Sequence, residues 1–332
     1  MSTDLEDRLK ELRLSMASLK VANEKNQSGM VSAAGKPEEK PALVKNQKQV
    51  FLQRVMRVVQ KYTGIALTLQ HEEKLSRQLS KIVKATELNH WVSNFEMLGD
   101  KHKNWRQLIE SLTVHETYFF RHHEQFKAVF DQAARQQVWS KSRPLRIWSA
   151  ACSSGEEIYT FLLLLADMVQ KEQVSKGELT RISALDLPFE LLGTDLSNSV
   201  LDSARKGCYR NTELGAFRDG FPKALFRFFA QDRNQREECY CLDADLRKLV
   251  AFKQHNLLSG ILPDTRSFDV VFCRNVMIYF DDASVTKVQA LIHRSLNTNG
   301  VMVLGPTDRL MDSTLFVANK VGESVFYRKR PA

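Results

Sequence analysis

Leu145-Arg146-Ile147-Trp148-Ser149-Ala150-Ala151-Cys152-Ser153-Ser154-Gly155-Glu156-Glu157 is the stretch on which the fold turns. Its first five residues read as a short strand of the buried type. Small residues follow, and two carboxylates then open an apolar helix expected over about residues 156–169. A buried strand that turns through small residues into a helix is the repeating unit of a sheet with helical crossovers. The alternation recurs downstream. Residues 191–195 read as a second strand with a helix after Ser197, and residues 268–273 as a third with a helix over about 284–296. Residues 301–304 and 324–327 close the series. The expected fold class is α/β, a doubly wound, mostly parallel, Rossmann-like sheet over residues 143–332. Residues 239–242 and 249–252 read as a small inserted β-element spanning about 236–256.

Upstream of the sheet the texture is helical. Leu5, Leu9, Leu12, Met16 and Leu19 alternate steps of four and three, one apolar stripe on a helix over residues 4–22. That is too short for a coiled coil by itself, and any partner it binds is unknown. Residues 23–46 are polar, contain Gly29, Gly35, Pro37 and Pro41, and read with the preceding helix as a tethered N-terminal region over 1–46. Residues 47–112 read as an all-helical domain. Phe51, Val55, Val58, Val59 and Tyr62 form one apolar face, and Thr63-Gly64 a turn. A second helix is expected over about 72–85, with Lys74, Arg77, Lys81 and Lys84 projecting from one side at steps of three, four and three. Residues 113–142 read as an interdomain linker and helix.

Composition excludes several classes. With 43% apolar and 26% charged residues in 332, the chain is an ordinary globular one, neither disordered nor low in complexity. The longest apolar run, residues 161–166, is far short of a membrane span, and the N-terminus lacks the basic-then-apolar pattern of a secretory signal. Five cysteines without a Cys-x-x-Cys predict neither a disulfide framework nor a metal site, and a reduced, cytoplasmic setting. The net charge is +9, and residues 47–106 carry eleven basic against five acidic side chains. Most of the excess sits in the helical domain, which implies an acidic partner there.

In a doubly wound sheet, ligands bind beyond the carboxyl ends of the strands. The loop after the first strand is no glycine-rich phosphate cradle, and its two acids would repel a phosphate while suiting the helix dipole. It fits an uncharged or cationic nucleoside ligand, with one of the two acids only capping the helix. Asp195 at the second strand's tip stands where such folds clasp ribose hydroxyls, or where a helix N-cap would sit. The third strand ends in Phe272-Cys273-Arg274-Asn275-Val276-Met277-Ile278-Tyr279-Phe280, which brings an Arg-Asn pair and Tyr279 towards the same cleft. Thr113-Val114-His115-Glu116-Thr117-Tyr118-Phe119-Phe120-Arg121 links the two domains and is expected to pack across it. His122-His123 diverge by about 100° on a helix and read as surface histidines, not metal ligands.

These four motif segments stand in the order and approximate spacing of the CheR family of chemotaxis-receptor methyltransferases, which the chain resembles over about residues 47–330. The resemblance implies transfer of a methyl group from S-adenosylmethionine to glutamate side chains on the cytoplasmic helices of chemotaxis receptors, leaving S-adenosylhomocysteine. It implies cofactor contacts from His115, Thr117, Arg121, Glu157, Asp195, Asn256, Leu257, Arg274 and Asn275. Arg121 is expected to stand beside the reacting carboxylate and Tyr279 near the methyl-transfer centre. Glu156 is left to cap the helix. Family members usually carry asparagine where this chain has His115. In some members the inserted β-element grips a receptor's C-terminal peptide.

The chemistry suits these residues. A glutamate carboxylate, with an ordinary pKa of about 4.3, is ionised at neutral pH and needs no general base. In-line displacement on a sulfonium consumes charge, so alignment and exclusion of water are the enzyme's main tasks. An arginine pins a carboxylate without protonating it. The basic stripe of Lys74, Arg77, Lys81 and Lys84 is expected to steer acidic receptor helices, and neither a nucleic-acid partner nor insertion into a membrane is expected. Two alternatives stay open: a catalytically weak or silent sensor of S-adenosylmethionine, and a methyltransferase of the same fold with another carboxylate acceptor.

Overall fold

The structure is a computed structural model that describes residues 41–84, 87–136, 140, 142–175, 188–218, 220–233, 237–322 and 324–331. The helix expected over residues 4–22 lies outside them. Residues Lys48–Ala332 form one unit.

Every residue of strand β1 (Leu145–Ala150) is buried, as a strand covered on both faces must be. Even Arg146 is enclosed, its guanidinium held by Glu190 and Asp264. β1 pairs in parallel with β2 (Phe189–Asp195) on one side and β7 (Phe268–Cys273) on the other. Two more parallel strands extend the sheet, β6 (Val250–Gln254) beyond β2 and β8 (Leu296–Leu304) beyond β7. β10 (Ser324–Lys329) and β9 (Phe316–Val321) complete it in antiparallel sense, giving the order β6-β2-β1-β7-β8-β10-β9. The chain winds outward from β1 to β6, then returns to the far side of β1 as β7. The order reverses there, and a crevice opens beyond the strand ends.

Helices cover both faces because successive β1 side chains alternate. Ile147 packs with Phe126 of α5 (His123–Gln136) and Phe161 of α6 (Glu156–Ser175). Trp148 packs on the other face with Val288 and Ile292 of α9 (Asp282–Ser295). The α/β expectation is met in a sheet of mostly parallel strands.

The inserted element lies elsewhere than expected. β3 (Cys208–Arg210), β4 (Phe229–Gln231) and β5 (Cys239–Leu242) form a separate three-stranded antiparallel sheet in the order β3-β5-β4. The insertion therefore begins near residue 208, just after α7 (Asn198–Lys206), and ends before the single turn α8 (Ala244–Arg247). Residues 250–254, assigned to it from sequence, pair instead with β2 as an edge of the main sheet. A five-residue strand with three apolar residues carries no local mark of its partner, and the parallel pairing that claims it is long-range.

The insertion also overturns the expectation that the cysteines form no disulfide. Cys208 and Cys241 face each other in the β3–β5 register and are joined in a disulfide. Thirty-three residues separate them, so sequence spacing gave no sign that antiparallel pairing would bring them together. Cys152, Cys239 and Cys273 are free and buried.

The helical part begins earlier than expected. α1 (Pro41–Thr63) reaches into the segment read as tether. α1, α2 (Leu69–Ile82), α3 (Leu88–Leu98) and α4 (Trp105–Leu112) enclose a core of their own, with Val55, Leu75, Phe95 and Leu108 at its centre. α2 is displaced by three residues from the expected 72–85. Val83 is extended and buried behind its last turn, so Lys84 lies beyond the helix, and the basic stripe on α2 has three members rather than four.

The turn after α1 joins the helices to the sheet. Gly64 has φ 71°, and a Cβ there would stand 2.5 Å from Leu258 Cδ1. Only glycine admits that approach. Ile65 then bridges Phe280, and the amide of Ala66 donates to the carbonyl of Tyr279 at 2.7 Å.

Candidate active site

One cavity at the strand ends collects residues from every motif. The loop after β1 is bent by left-handed Ala151 (φ 64°) and Ser153 (φ 49°), an unfavourable conformation for non-glycine residues that recurs at functional sites. The bend aims the Ser153 amide at Asp195 Oδ2, 2.9 Å away, while the Ser197 amide donates to Oδ1 at 3.0 Å. Asp195 ends β2 and lines the cavity. Burial raises its pKa, opposed by those two amides and by His115.

Glu157 and Arg274 form the cavity's buried ion pair, Oε2 to Nη1 at 3.3 Å. Burial raises the Glu157 pKa and lowers that of Arg274, and each charge opposes the shift of the other. Ser149 donates its hydroxyl to Glu157 Oε1 at 2.7 Å. Arg274 also donates to the carbonyl of Arg121 and lies over the ring of Phe126. Glu156 is turned away from the cavity lining. It is buried, accepts from the Ser154 hydroxyl, and burial pushes its pKa up to about 7.

The hinge contributes His115, Thr117 and Arg121 to the lining. The hydroxyl of Thr113 is 2.8 Å from His115 Nε2, and burial lowers the His115 pKa against the pull of Asp195 and Glu110. Arg121 donates to the carbonyl of Glu116 at 3.2 Å. The hinge aromatics do not stay together. Phe119 and Phe120 are buried against the insertion's ring cluster around Phe217 and Phe221, while Tyr118 lines the cavity with the Arg121 and Arg218 guanidiniums over its ring.

Asn256, Leu257, Asn275 and Tyr279 complete the set, so all ten residues expected at the cofactor and the reacting centre line one cavity. Asn256 has a second duty: its amide donates to the Tyr62 carbonyl at 2.6 Å and its oxygen accepts from Leu258 N at 2.9 Å. Lys74, Arg77, Lys81 and Lys84 are exposed and outside the lining.

Residues 115–323 match the family model described as CheR methyltransferase, SAM binding domain. The chain belongs to the CheR methyltransferase family. It is 29% identical to chemotaxis protein methyltransferase 2 of Pseudomonas aeruginosa over 274 residues, which is 82% of this chain and 91% of that one. It is 28% identical to the chemotaxis protein methyltransferase of Escherichia coli over 259 residues, 77% and 82% of the two chains. Among solved structures, a TehB-like SAM-dependent methyltransferase from Corynebacterium glutamicum matches at 14% identity and a TM-score of 0.31, covering 63% of this chain and 98% of that one. The fold assignment rests on the strand order, not on that likeness.

The cavity of this CheR family member fits S-adenosylmethionine in its donor set. Asp195 presents to it a carboxylate held by the backbone amides of Ser153 and Ser197. His255 also lines the cavity, and its buried Nε2 has no hydrogen-bond partner in the protein. Burial, helped by Lys253, holds that imidazole's pKa down to about 4, so a neutral ring is offered to a nucleoside.

Four contributors escaped the sequence reading. His71 and His255 line the cavity, the first from a helix of the basic domain and the second just before Asn256. Asp308 accepts the amides of Asn275 at 2.6 Å and Gly305 at 2.9 Å, so it braces the loop that carries Arg274. Arg218, from the insertion, pairs with Glu116 at 2.6 Å. Each acts across the fold, and no local pattern marks any of them.

Proposed function

We propose that this protein is a protein-glutamate O-methyltransferase that methylates glutamate side chains on the cytoplasmic helices of chemotaxis receptors and works in the cytoplasm. The observation that carries the reading is the convergence of Arg121 from the hinge, Glu157 from the start of α6 and Asp195 from the tip of β2 on one cavity. Relatives named chemotaxis protein methyltransferases support chemotaxis proteins as the acceptor class. Among the described residues no helix is long and apolar enough to cross a membrane.

S-adenosylmethionine supplies a methyl group on a sulfonium, electrophilic enough for a carboxylate to take without further activation. The protein's own residues bind and orient. Asp195 receives the ribose hydroxyls on its carboxylate. Glu157, held by Ser149 and Arg274, attracts the ammonium of the methionine portion. Thr117, His115 and Arg121 wall it from the hinge, with Leu257 and Asn256 at the adenine and Arg274-Asn275 beneath. The acceptor glutamate is already ionised at neutral pH, so no residue need remove a proton. Arg121 and Tyr279 hold it in line and exclude water. Arg121 orients more than it accelerates, because an ion pair that is strongest in the ground state does not lower the barrier. Lys74, Arg77 and Lys81 on α2, with Lys84 just past it, attract the acidic receptor surface.

The test is transfer of tritiated methyl to purified receptors, scored for base-labile release as expected of a carboxyl ester. Wild-type protein should label receptors. Arg121→Ala should abolish labelling with the fold intact, and Asp195→Ala should weaken cofactor binding by calorimetry. Cofactor binding with no transfer to any receptor would overturn the reading in favour of a silent sensor.

A further inference from the structure

Helix α2 opens on a capping box whose third helical residue is His71, where glutamate or glutamine is usual. The backbone N–H of Thr68 donates to His71 Nδ1 at 3.1 Å, and the Thr68 hydroxyl stands 3.0 Å from the same nitrogen. A backbone N–H can only donate. Nδ1 is therefore the unprotonated nitrogen, and the proton of the neutral ring sits on Nε2. Burial and the nearby Lys74 charge lower the ring's pKa, which favours the neutral ring.

His71 also lines the cavity, the one α2 residue that does so. It belongs to the wall supplied by the helical bundle, together with Thr63 and Ile65. That wall is tied to the Tyr279 loop by the Ala66 amide and the Ile65–Phe280 bridge. The capping box uses Nδ1, so the other ring nitrogen of this cavity-lining residue is left as a donor. We infer that the Nε2–H of His71 hydrogen-bonds the acceptor glutamate carboxylate and helps to set its approach. This inference rests on the proposed reading of the acceptor as a glutamate. A neutral donor suits the task. It fixes a carboxylate's direction without adding a second full positive charge to that of Arg121, which would deepen the ground state and raise the barrier.

The capping role and the acceptor role separate experimentally, because glutamine and glutamate both satisfy the capping box at this position. His71→Gln keeps a cap and a neutral N–H donor. His71→Glu keeps the cap, gains from the helix dipole, and sets a carboxylate against the acceptor. Receptor methylation and S-adenosylmethionine binding are measured on both, with thermal melts as the fold control. The expected result is a kcat/KM for receptor within about threefold of wild type in His71→Gln and a loss of about thirtyfold or more in His71→Glu, the size expected of opposed like charges at a contact. Cofactor affinity should be unchanged in both. Equal activity in the two variants would reduce His71 to a helix cap and overturn the inference, as would a cofactor affinity that falls in step with activity. A wild-type protein that methylates no receptor would instead overturn the reading of the acceptor itself, and the inference with it.

Discussion

Glu157 and Arg274 meet at 3.3 Å with their side chains 15% and 1% exposed, an ion pair between the helix that follows β1 and the tip of β7. The two strands lie side by side where the sheet order reverses. The pair therefore belongs to the switch point itself. Each charge is the other's main compensation for lost water, and either one alone is costly to keep.

Glu157→Gln removes the negative partner and leaves the Arg274 guanidinium buried. Stability should fall by roughly 2 kcal/mol, below the usual cost of breaking a buried pair because the amide still accepts a hydrogen bond. Urea denaturation measures it. On the proposed reading, calorimetry should also show weaker S-adenosylmethionine binding, and unchanged affinity would remove Glu157 from the cofactor site.

Glu156 gives a pH signature. Its pKa rises from 4.5 unfolded to about 7 folded because burial disfavours the charged form. The folded state then binds more protons than the unfolded state between those values, so stability falls as pH rises from about 4.5 to about 7 and levels off above. The full effect is on the order of 3 kcal/mol. Glu156→Gln should flatten this slope and raise stability at pH 8, as urea melts at pH 5 and pH 8 will report. An unaltered slope would show that Glu156 is not its source.

Reduction of Cys208–Cys241 should destabilise the insertion. Closing a 33-residue loop removes unfolded-state entropy worth about 3–4 kcal/mol. Tyr209, beside Cys208, donates to the carbonyl of Ser154 at 2.8 Å, so loosening β3 should reach the loop after β1. Alkylation and mass analysis of the unreduced protein should find three free thiols out of five. The melting temperature of Cys208→Ala/Cys241→Ala should lie below that of wild type.

Asp308 should matter out of proportion to its distance in sequence from the motifs. Asp308→Ala strands the amides of Asn275 and Gly305. An unpaired buried N–H costs about 1–3 kcal/mol, so a loss of roughly 2 kcal/mol is expected after some rehydration, together with weaker cofactor binding. Asp308→Asn keeps an acceptor oxygen and should lose less of both. If alanine and asparagine bind cofactor as wild type does, the brace is not needed.

Arg274 and Asp195 are legible because one directly follows and the other ends a strand, and Glu157 because it opens the helix after one, and strand ends are where such sheets bind ligands. The second helix was legible in existence but not in register. Its start depends on Thr68 and His71, a capping pair without the usual glutamate, and Lys84 was counted on a helix that ends at Ile82. Tyr118-Phe119-Phe120 signalled packing, but which ring goes to the cavity and which to the insertion depends on Phe217 and Phe221, about a hundred residues away.

By itself the amino-acid sequence determined the alternation of strands and helices, the sheet class and the residues at the strand tips, since these follow from hydrophobic periodicity and contiguous motifs. Only the tertiary structure decided that residues 250–254 join the main sheet, that Cys208 meets Cys241, and that His71 and Asp308 serve the cavity. Those pairings are made between segments far apart in the chain. Local propensity is blind to them, and the free energy that selects one partner over another comes from burial and hydrogen bonds available only once the whole sheet has closed.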